Sequence, residues 1–462
     1  MDWLSSIQEY IKRFNQWLTS RSVRDRVQSL LEAQPFLQNV PYWVAATIVG
    51  LVAVVYAELI HTFTQMAFEI FIENPYYTMA LSPLCFVAAW ALVYYFGKAA
   101  GGSGIPAVMA GIHLDVKSPR RYLNELMSLR ISAVKVLSSV LCVLGGGAIG
   151  REGPTIQIST SIFLAIGAIF RKVWPKSTHQ PWLIAGGAAG LAAAFNTPLG
   201  GIVFAIEELA AQQFNRVKTV LVSAVIISGM VSQWILGAYL FFGYPELGEV
   251  TAGFMPWAIL IGIICGVGGG FFGKILFHFG NKLRKMRARD QALFAGGVGL
   301  FVAFYAFFFT EQVMGGGAEV VRELLFSEGV EADLKLVIGR YVGTLVSYLA
   351  GVAGGIFAPS LAIGASIGSQ MAVWVGSSNP NLMVLAGMAG FLAAVTRAPF
   401  TALVLVLEMT DRHGATLQLM LTSIVAYVVS LSIDSHSFYE RRCDEIIAEI
   451  EDKEAMRKAE AK

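Results

Sequence analysis

The sequence predicts an all-α integral membrane protein built from two related halves, with many of its helices tilted and broken inside the bilayer. Three observations carry that expectation. Of 462 residues 55% are hydrophobic and only 14% are charged, whereas a soluble chain carries about a quarter charged residues. The stretches Pro41 to Ile72, Tyr77 to Phe96, Val220 to Phe242, Pro256 to Phe279 and Leu417 to Ile433 are each long enough to cross roughly 30 Å of hydrocarbon, so roughly ten or more membrane helices are expected. The chain also repeats itself, and glycine and proline interrupt both copies at matching places.

Taken in order, residues 1–40 form a charged amphipathic segment with Lys12, Arg13, Arg21, Arg24 and Arg26. No short apolar run with a cleavage site stands there, so no signal peptide is expected. Residues 41–245 make the first membrane repeat, residues 246–440 the second, and residues 441–462 a tail with Arg441, Arg442, Lys453, Arg457 and Lys458. Basic clusters also occur at Lys117-Ser118-Pro119-Arg120-Arg121, at Arg171-Lys172 and from Lys282 to Arg289. Because cytoplasmic loops are enriched in Lys and Arg, both termini are expected in the cytoplasm.

Composition also excludes several function classes. With 34 basic against 32 acidic residues, neither nucleic acid nor an acidic partner is indicated. Cys85, Cys142, Cys265 and Cys443 are widely separated, as are His61, His113, His179, His278, His413 and His436. No metal site and no redox cofactor are therefore expected.

The repeat is explicit. Leu183 to Pro198 matches Val384 to Pro399 without a gap, 201 positions further on, and the apolar runs that follow end alike at Glu207 and Glu408. Gly150 to Pro154 matches Gly355 to Pro359 at an offset of 205. Repeats of this kind are typical of secondary transporters, in which two halves bring the ends of broken helices to a shared site.

Pro106, Pro154, Pro198, Pro359 and Pro399 each follow a Gly- or Ala-rich stretch and precede an apolar run, the pattern of proline in the first turn of a helix. Helices then begin inside the membrane, where free backbone N–H groups and the positive end of the helix dipole need an acceptor. An anion is the natural one. No Lys, and of the arginines only Arg151 and Arg397, lie in these breaks. An anion is thus expected to be held mainly by partial charges, weakly enough for rapid passage.

Glu152, in Gly150-Arg151-Glu152-Gly153-Pro154, is a carboxylate placed between apolar stretches. Such a residue is costly and needs a functional or pairing reason to be there. Two apparent nucleotide motifs carry no weight. Gly145 to Gly150 fits a dinucleotide pattern but ends an apolar helix with no strand before it. The run from Gly268 to Ile275 approaches a phosphate loop but lacks the final Ser or Thr.

Taken together, Gly102-Ser103-Gly104-Ile105-Pro106, Gly150-Arg151-Glu152-Gly153-Pro154 and Gly355-Ile356-Phe357-Ala358-Pro359 resemble, in order and spacing, the three filter motifs of the CLC chloride channel and transporter family. The likeness runs from about residue 41 to Tyr439. It implies an inverted-repeat helical fold in a prokaryotic inner membrane, working as a homodimer in membrane lipid with one anion pathway per subunit. It further implies that Ser103, Tyr439 and the backbone N–H groups of Ile356 and Phe357 bind chloride, that Glu152 gates the pathway and carries protons, and that Glu208 is the internal proton-transfer glutamate.

The repeat separates the adjacent glutamates independently: Glu207 has a counterpart in Glu408, whereas Glu208 faces Met409. Glu207 reads as structural and Glu208 as functional. Arg151 reads as a structural partner for nearby groups rather than a direct ligand. The sequence departs from the family pattern at Ala107, where Glu is common, and in Leu349 to Gly354, which lacks the usual Ser-Gly start.

The expected activity is exchange of chloride for protons, not an enzymatic reaction. A passive chloride channel of the same family and an exchanger for fluoride or nitrate are the alternatives. A membrane-embedded enzyme is disfavoured by the absence of a paired nucleophile and base.

Overall fold

The structure, a computed structural model, describes residues 9, 21–114, 119–174, 178–209, 214–237, 240–327 and 329–460. Lys12, Arg13, Lys117 and Ser118 lie outside the described residues. The fold is helical, as the composition predicts, and among the described residues extended pairing is confined to two isolated bridges.

After α1 (Arg21–Ala33), the first half contains α2 (Val40–Glu73), α3 (Pro75–Phe96), α4 (Ile105–His113), α5 (Pro119–Leu126), α6 (Leu129–Leu144), α7 (Glu152–Phe170), α8 (Gln180–Phe195), α9 (Pro198–Phe204) and α10 (Phe214–Leu236). The second contains α11 (Met255–Arg284), α12 (Ala288–Phe308), α13 (Ala318–Phe326), α14 (Leu334–Leu349), α15 (Phe357–Val375), α16 (Pro380–Thr396), α17 (Pro399–Thr410) and α18 (Thr416–Ile433). The final helix, α19, spans Phe438–Glu460.

Local chemistry sets the helix starts. Ser128 accepts a hydrogen bond from the Ile131 N–H at the head of α6, and Asp333 accepts one from the Leu336 N–H (2.8 Å) at the head of α14. Both satisfy a donor that the first helical turn leaves free. Prolines occupy the first turn of α4, α7, α9, α15 and α17.

Among the described residues eight helices are long and apolar enough to cross a membrane, and the breaks leave shorter apolar helices beside them. At 1.5 Å per residue, the 12 residues of α17 reach about 18 Å, and α9 is shorter still. The stretch expected to run to Phe242 stops at Leu236, because Gly237 turns into the left-handed region (φ +84°). Five of these long helices present Ile72, Leu84, Trp234, Leu293 and Val428 outward, and an apolar exterior suits lipid.

The two halves repeat in three dimensions. Helix α7 packs on α8 as α15 packs on α16, and α10 lies against α8 as α18 lies against α16. The α15–α16 contact is backbone on backbone: a Cβ on Gly387 would sit 2.0 Å from the Gly364 carbonyl oxygen. Both α8 and α16 end on a non-glycine residue in the left-handed region, Asn196 (φ 56°) and Arg397 (φ 68°), which are equivalent positions of the repeat.

Carboxylates then cross between the halves. Glu207 accepts hydrogen bonds from the Phe400 N–H (3.2 Å), the Thr401 N–H (2.7 Å) and the Thr401 hydroxyl (2.7 Å) at the start of α17. Glu408 accepts from the Leu199 N–H (3.0 Å) and the Gly200 N–H (2.8 Å) at the start of α9. Each half supplies the acceptor for the other's free helix start.

Helix α19 opens on a reciprocal cap: the Ser437 N–H donates to the Glu440 carboxylate (2.7 Å) and the Glu440 N–H donates to the Ser437 hydroxyl (3.0 Å). This is a capping box, and it sets Tyr439 in the first turn. Ion pairs from Arg441 to Asp434 and from Arg284 to Glu445 tie the helix to the membrane helices. The second of these places the basic turn after α11 against the C-terminal helix.

Candidate anion and proton pathway

The three motifs, far apart in the chain, meet as backbone. The Gly102 N–H donates to the Val352 carbonyl (2.8 Å), and the Gly354 N–H donates back to the Gly102 carbonyl (3.1 Å). One residue on, Gly355 and Gly150 exchange both N–H···O bonds at 2.7 and 2.8 Å. The strand-like segment 352–355 thus lies between the first and second motifs and joins both.

From this junction α4, α7 and α15 depart. Their first N–H groups have no partner within a helix. Ile356 is the N-cap of α15 and Phe357 its first residue. Both are buried, at 0% and 1% exposure, and so are Ser103, Tyr439 and Glu152 at 1%, 1% and 2%. The Tyr439 ring stacks on Phe357, with centroids 6.3 Å apart and an interplanar angle of 17°.

The Ser103 and Tyr439 hydroxyls lie beside one another, and among the described residues neither has a well-formed hydrogen bond. Two buried hydroxyls beside free helix-start N–H groups suit an anion, since every group offered is a neutral donor. Gly153 makes that approach possible: a Cβ there would lie 2.1 Å from the Ser103 hydroxyl oxygen.

Glu152 joins the same helix start. Its carboxylate accepts a hydrogen bond from the Ala358 N–H at 3.4 Å, one residue beyond Phe357. That distance exceeds the usual N–H···O range of 2.7–3.2 Å, so the side chain is held loosely.

Among the described residues, two of the cavities at this region, one at Glu152 and one at Ser103, share no lining residue. One, of about 330 Å³, is lined by Glu152 with Arg151, Glu58, His61, Glu319 and Arg322. The other, of about 500 Å³, is lined by Ser103 with Lys98, Arg130, Arg442, Glu449 and Lys453. Arg151 sits over the Phe241 ring, 5.8 Å from its centroid. Arg397 donates to the Ser430 and Asp434 carbonyls at the end of α18, each at 2.8 Å, and serves that turn. Glu208 follows Glu207 in the turn of helix directly after α9, near Glu440 of α19.

Several contributors escaped the sequence reading. Lys135 of α6, wholly buried, donates to the Gly102 carbonyl at 2.8 Å. No lysine lies in a break, as the sequence reads, but one enters from a neighbouring helix. A lysine inside the apolar run Ile131 to Val140 was the available cue. Tyr348 accepts from the Ser103 N–H (3.3 Å), and Gln157 donates to the Ala99 (3.0 Å) and Leu126 (2.7 Å) carbonyls. Arg340 donates to the carbonyls of Gln312, Val313, Met314 and Gly315, fixing a wall of the cavity at Glu152.

The family profile described as voltage gated chloride channel matches residues 84–431, most of the chain. The chain belongs to this family. Among its members, it is 30% identical over 416 residues to an H(+)/Cl(-) exchange transporter ClcA of Vibrio cholerae, covering 85% of this chain and 86% of that protein. It is 28% identical over 436 residues to the protein of the same name from Salmonella paratyphi B, covering 90% of each. A crystal structure of a slow cyanobacterial Cl-/H+ antiporter superposes with a TM-score of 0.75 at 26% identity, covering 88% of this chain and 98% of that one. The structure of a CLC-type fluoride/proton antiporter, at 20% identity and a TM-score of 0.73, covers 88% of this chain and 97% of that one and shares the fold.

Proposed function

We propose that this CLC-family protein is a secondary active antiporter exchanging chloride for protons, with Glu152 as its gate. The observation that carries the proposal is the hydrogen bond from the Ala358 N–H to the Glu152 carboxylate. It puts an ionisable anion at the helix start that also presents the Ile356 and Phe357 N–H groups. A chloride ion and an ionised Glu152 then compete for one set of donors. Protonation removes the side chain's charge and gives the place to chloride. Because a site that binds two ligands in competition links their equilibria, the carboxylate couples anion movement to proton movement.

Chloride occupies the site between Ser103, Tyr439 and the N–H groups of Ile356 and Phe357. Glu208, whose carboxylate caps no helix among the described residues, receives protons from the cytoplasm, where both termini lie. Two subunits associate in the inner membrane, each with its own pathway. Relatives named H(+)/Cl(-) exchange transporter support the choice of ions.

The test is Glu152→Gln in liposomes with chloride and proton flux followed together. Chloride movement should persist while proton coupling is abolished. Proton pumping that survives in E152Q would overturn the reading. In the wild type, a reversal potential indifferent to a pH gradient would indicate a passive channel, and preferential uptake of fluoride or nitrate would indicate a different anion.

A further inference from the structure

A further cavity, of about 240 Å³, lies between the ends of α3, α11 and α14 and the starts of α12 and α19. It meets the Ser103 cavity at Lys98, Gly101, Tyr348 and Arg442, but the proposed exchange makes no use of it. Its inner wall is apolar: Trp90, Val93, Leu276 and Phe438 are buried there, and Phe294 completes the surface. Its rim is basic. Lys98 is exposed, stands over the Tyr94 ring 4.9 Å from its centroid, and forms no ion pair among the described residues. Arg284 and Arg442 share the Glu445 carboxylate at 2.8 and 2.7 Å, and Glu449 reaches Arg442 at 3.7 Å. Three cations thus stand against two carboxylates, and apolar walls under a positive rim select an amphiphilic anion.

The surroundings narrow its chemistry. Tyr95, Phe279 and Leu293, each adjacent in sequence to a lining residue, are 69%, 48% and 64% exposed on helices long and apolar enough to span a bilayer. The cavity therefore opens beside lipid. Lys282, Lys285 and Arg289, all exposed, continue the positive rim around the turn after α11. Basic pockets between membrane helices bind anionic lipid headgroups, and each Lys or Arg near the surface adds to the attraction. The volume is below the roughly 300–1,000 Å³ that encloses a drug-sized ligand, so it suits one stretch of a chain whose remainder stays in the bilayer.

We infer that this cavity binds an anionic phospholipid, with the phosphate at Lys98 and Arg284 and part of one acyl chain against Trp90, Val93 and Phe294. The site touches the filter: Tyr348, in its wall, accepts the Ser103 N–H (3.3 Å) and packs edge-on against Phe438, centroids 5.5 Å apart. The inference stands apart from the choice of transported ions. Its test is lipid binding to the delipidated, detergent-purified full-length chain, followed by native mass spectrometry. The probes are phosphatidylglycerol, phosphatidylcholine and glycerophosphoglycerol, which is the headgroup without its chains.

The variants are Gly280→Phe and Lys98→Gln, with Lys218→Gln, an exposed lysine of α10 that does not line the cavity, as the control. A Cβ on Gly280 would meet only Arg284 Nη1 at 3.4 Å and Leu349 Cδ2 at 3.8 Å, both ordinary contacts with lining side chains, so a phenyl ring enters the cavity without displacing backbone. Wild type should bind phosphatidylglycerol about fivefold or more tightly than phosphatidylcholine. K98Q should weaken that binding about fivefold, G280F on the order of tenfold, and K218Q should match wild type. Equal binding of the two lipids by wild type, or wild-type affinity in folded G280F, would overturn the inference. Equal losses in K98Q and K218Q would also overturn it, since the attraction would then be diffuse surface charge. Glycerophosphoglycerol bound as tightly as the lipid would replace the lipid by a soluble phosphate ester. Should G280F fail to fold, the comparison of K98Q with K218Q decides alone.

Discussion

Replacing Glu207 with Ala separates architecture from transport at two adjacent carboxylates. Glu207 accepts three hydrogen bonds at the start of α17, from the Phe400 N–H, the Thr401 N–H and the Thr401 hydroxyl. A hydrogen bond to a charged acceptor contributes roughly 1.5–3 kcal/mol, and a carboxylate at a helix start adds a few tenths more from the dipole. Glu207 is only half-buried, so water replaces part of what is lost and the net cost falls to about 2–4 kcal/mol. E207Q keeps one carbonyl acceptor and should lie between wild type and E207A. Thermal unfolding in detergent, read by fluorescence and size exclusion, should therefore rank wild type above E207Q above E207A. In liposomes the folded fraction of E207A should keep its ratio of chloride to protons. E208A should show the reverse: wild-type stability, and chloride flux without proton coupling. An E207A protein as stable as wild type, or one that loses proton coupling while remaining folded, would refute this division of roles.

Two further substitutions probe the anion site. Tyr439→Phe removes a buried hydroxyl but keeps the ring stacked on Phe357; chloride affinity measured by calorimetry should fall by a factor of about five, for roughly 1 kcal/mol, with no loss of thermal stability. Gly153→Ala places a Cβ 2.1 Å from the Ser103 hydroxyl oxygen and 2.8 Å from the Ser103 carbonyl oxygen; chloride binding should be lost, and wild-type affinity in this variant would show that Ser103 is not a ligand.

Much of this architecture was legible in the sequence because it is written in local signals. Proline in the first turn, glycine before it and apolar runs after it located the starts of α4, α7, α9, α15 and α17. The repeat matched Glu207 with Glu408, and the structure shows them capping opposite halves. What sequence hid was contact at long range. The meeting of Gly102, Gly150 and segment 352–355 is a set of backbone hydrogen bonds, and main-chain pairing leaves no side-chain signature. Lys135 and Gly102 are 33 positions apart, on a helix whose apolar pattern gives no indication of where a lone charge will point. Hydropathy records that a run is apolar, while the left-handed residues Asn196 and Arg397 decide where a helix stops.

Rigidity at the filter and looseness at Glu152 together indicate what moves in the proposed exchange. The junction backbone is pinned from several sides: Gly102 by Val352, Gly354 and Lys135, and Gly150 by a reciprocal pair with Gly355. The helix starts of α9 and α17 are held by carboxylates from the opposite half. Displacing any of these segments breaks several hydrogen bonds at once, at roughly 1–3 kcal/mol for each buried group left unpaired. The Glu152 side chain is held by the Ala358 N–H at 3.4 Å, and swinging it away breaks one weak bond while its lining cavity of about 330 Å³ offers room. In the proposed exchange, coupling is therefore a side-chain event on a fixed backbone. Substitutions that merely loosen the junction should lower chloride affinity and stability together, whereas changes at position 152 should alter coupling and leave stability intact.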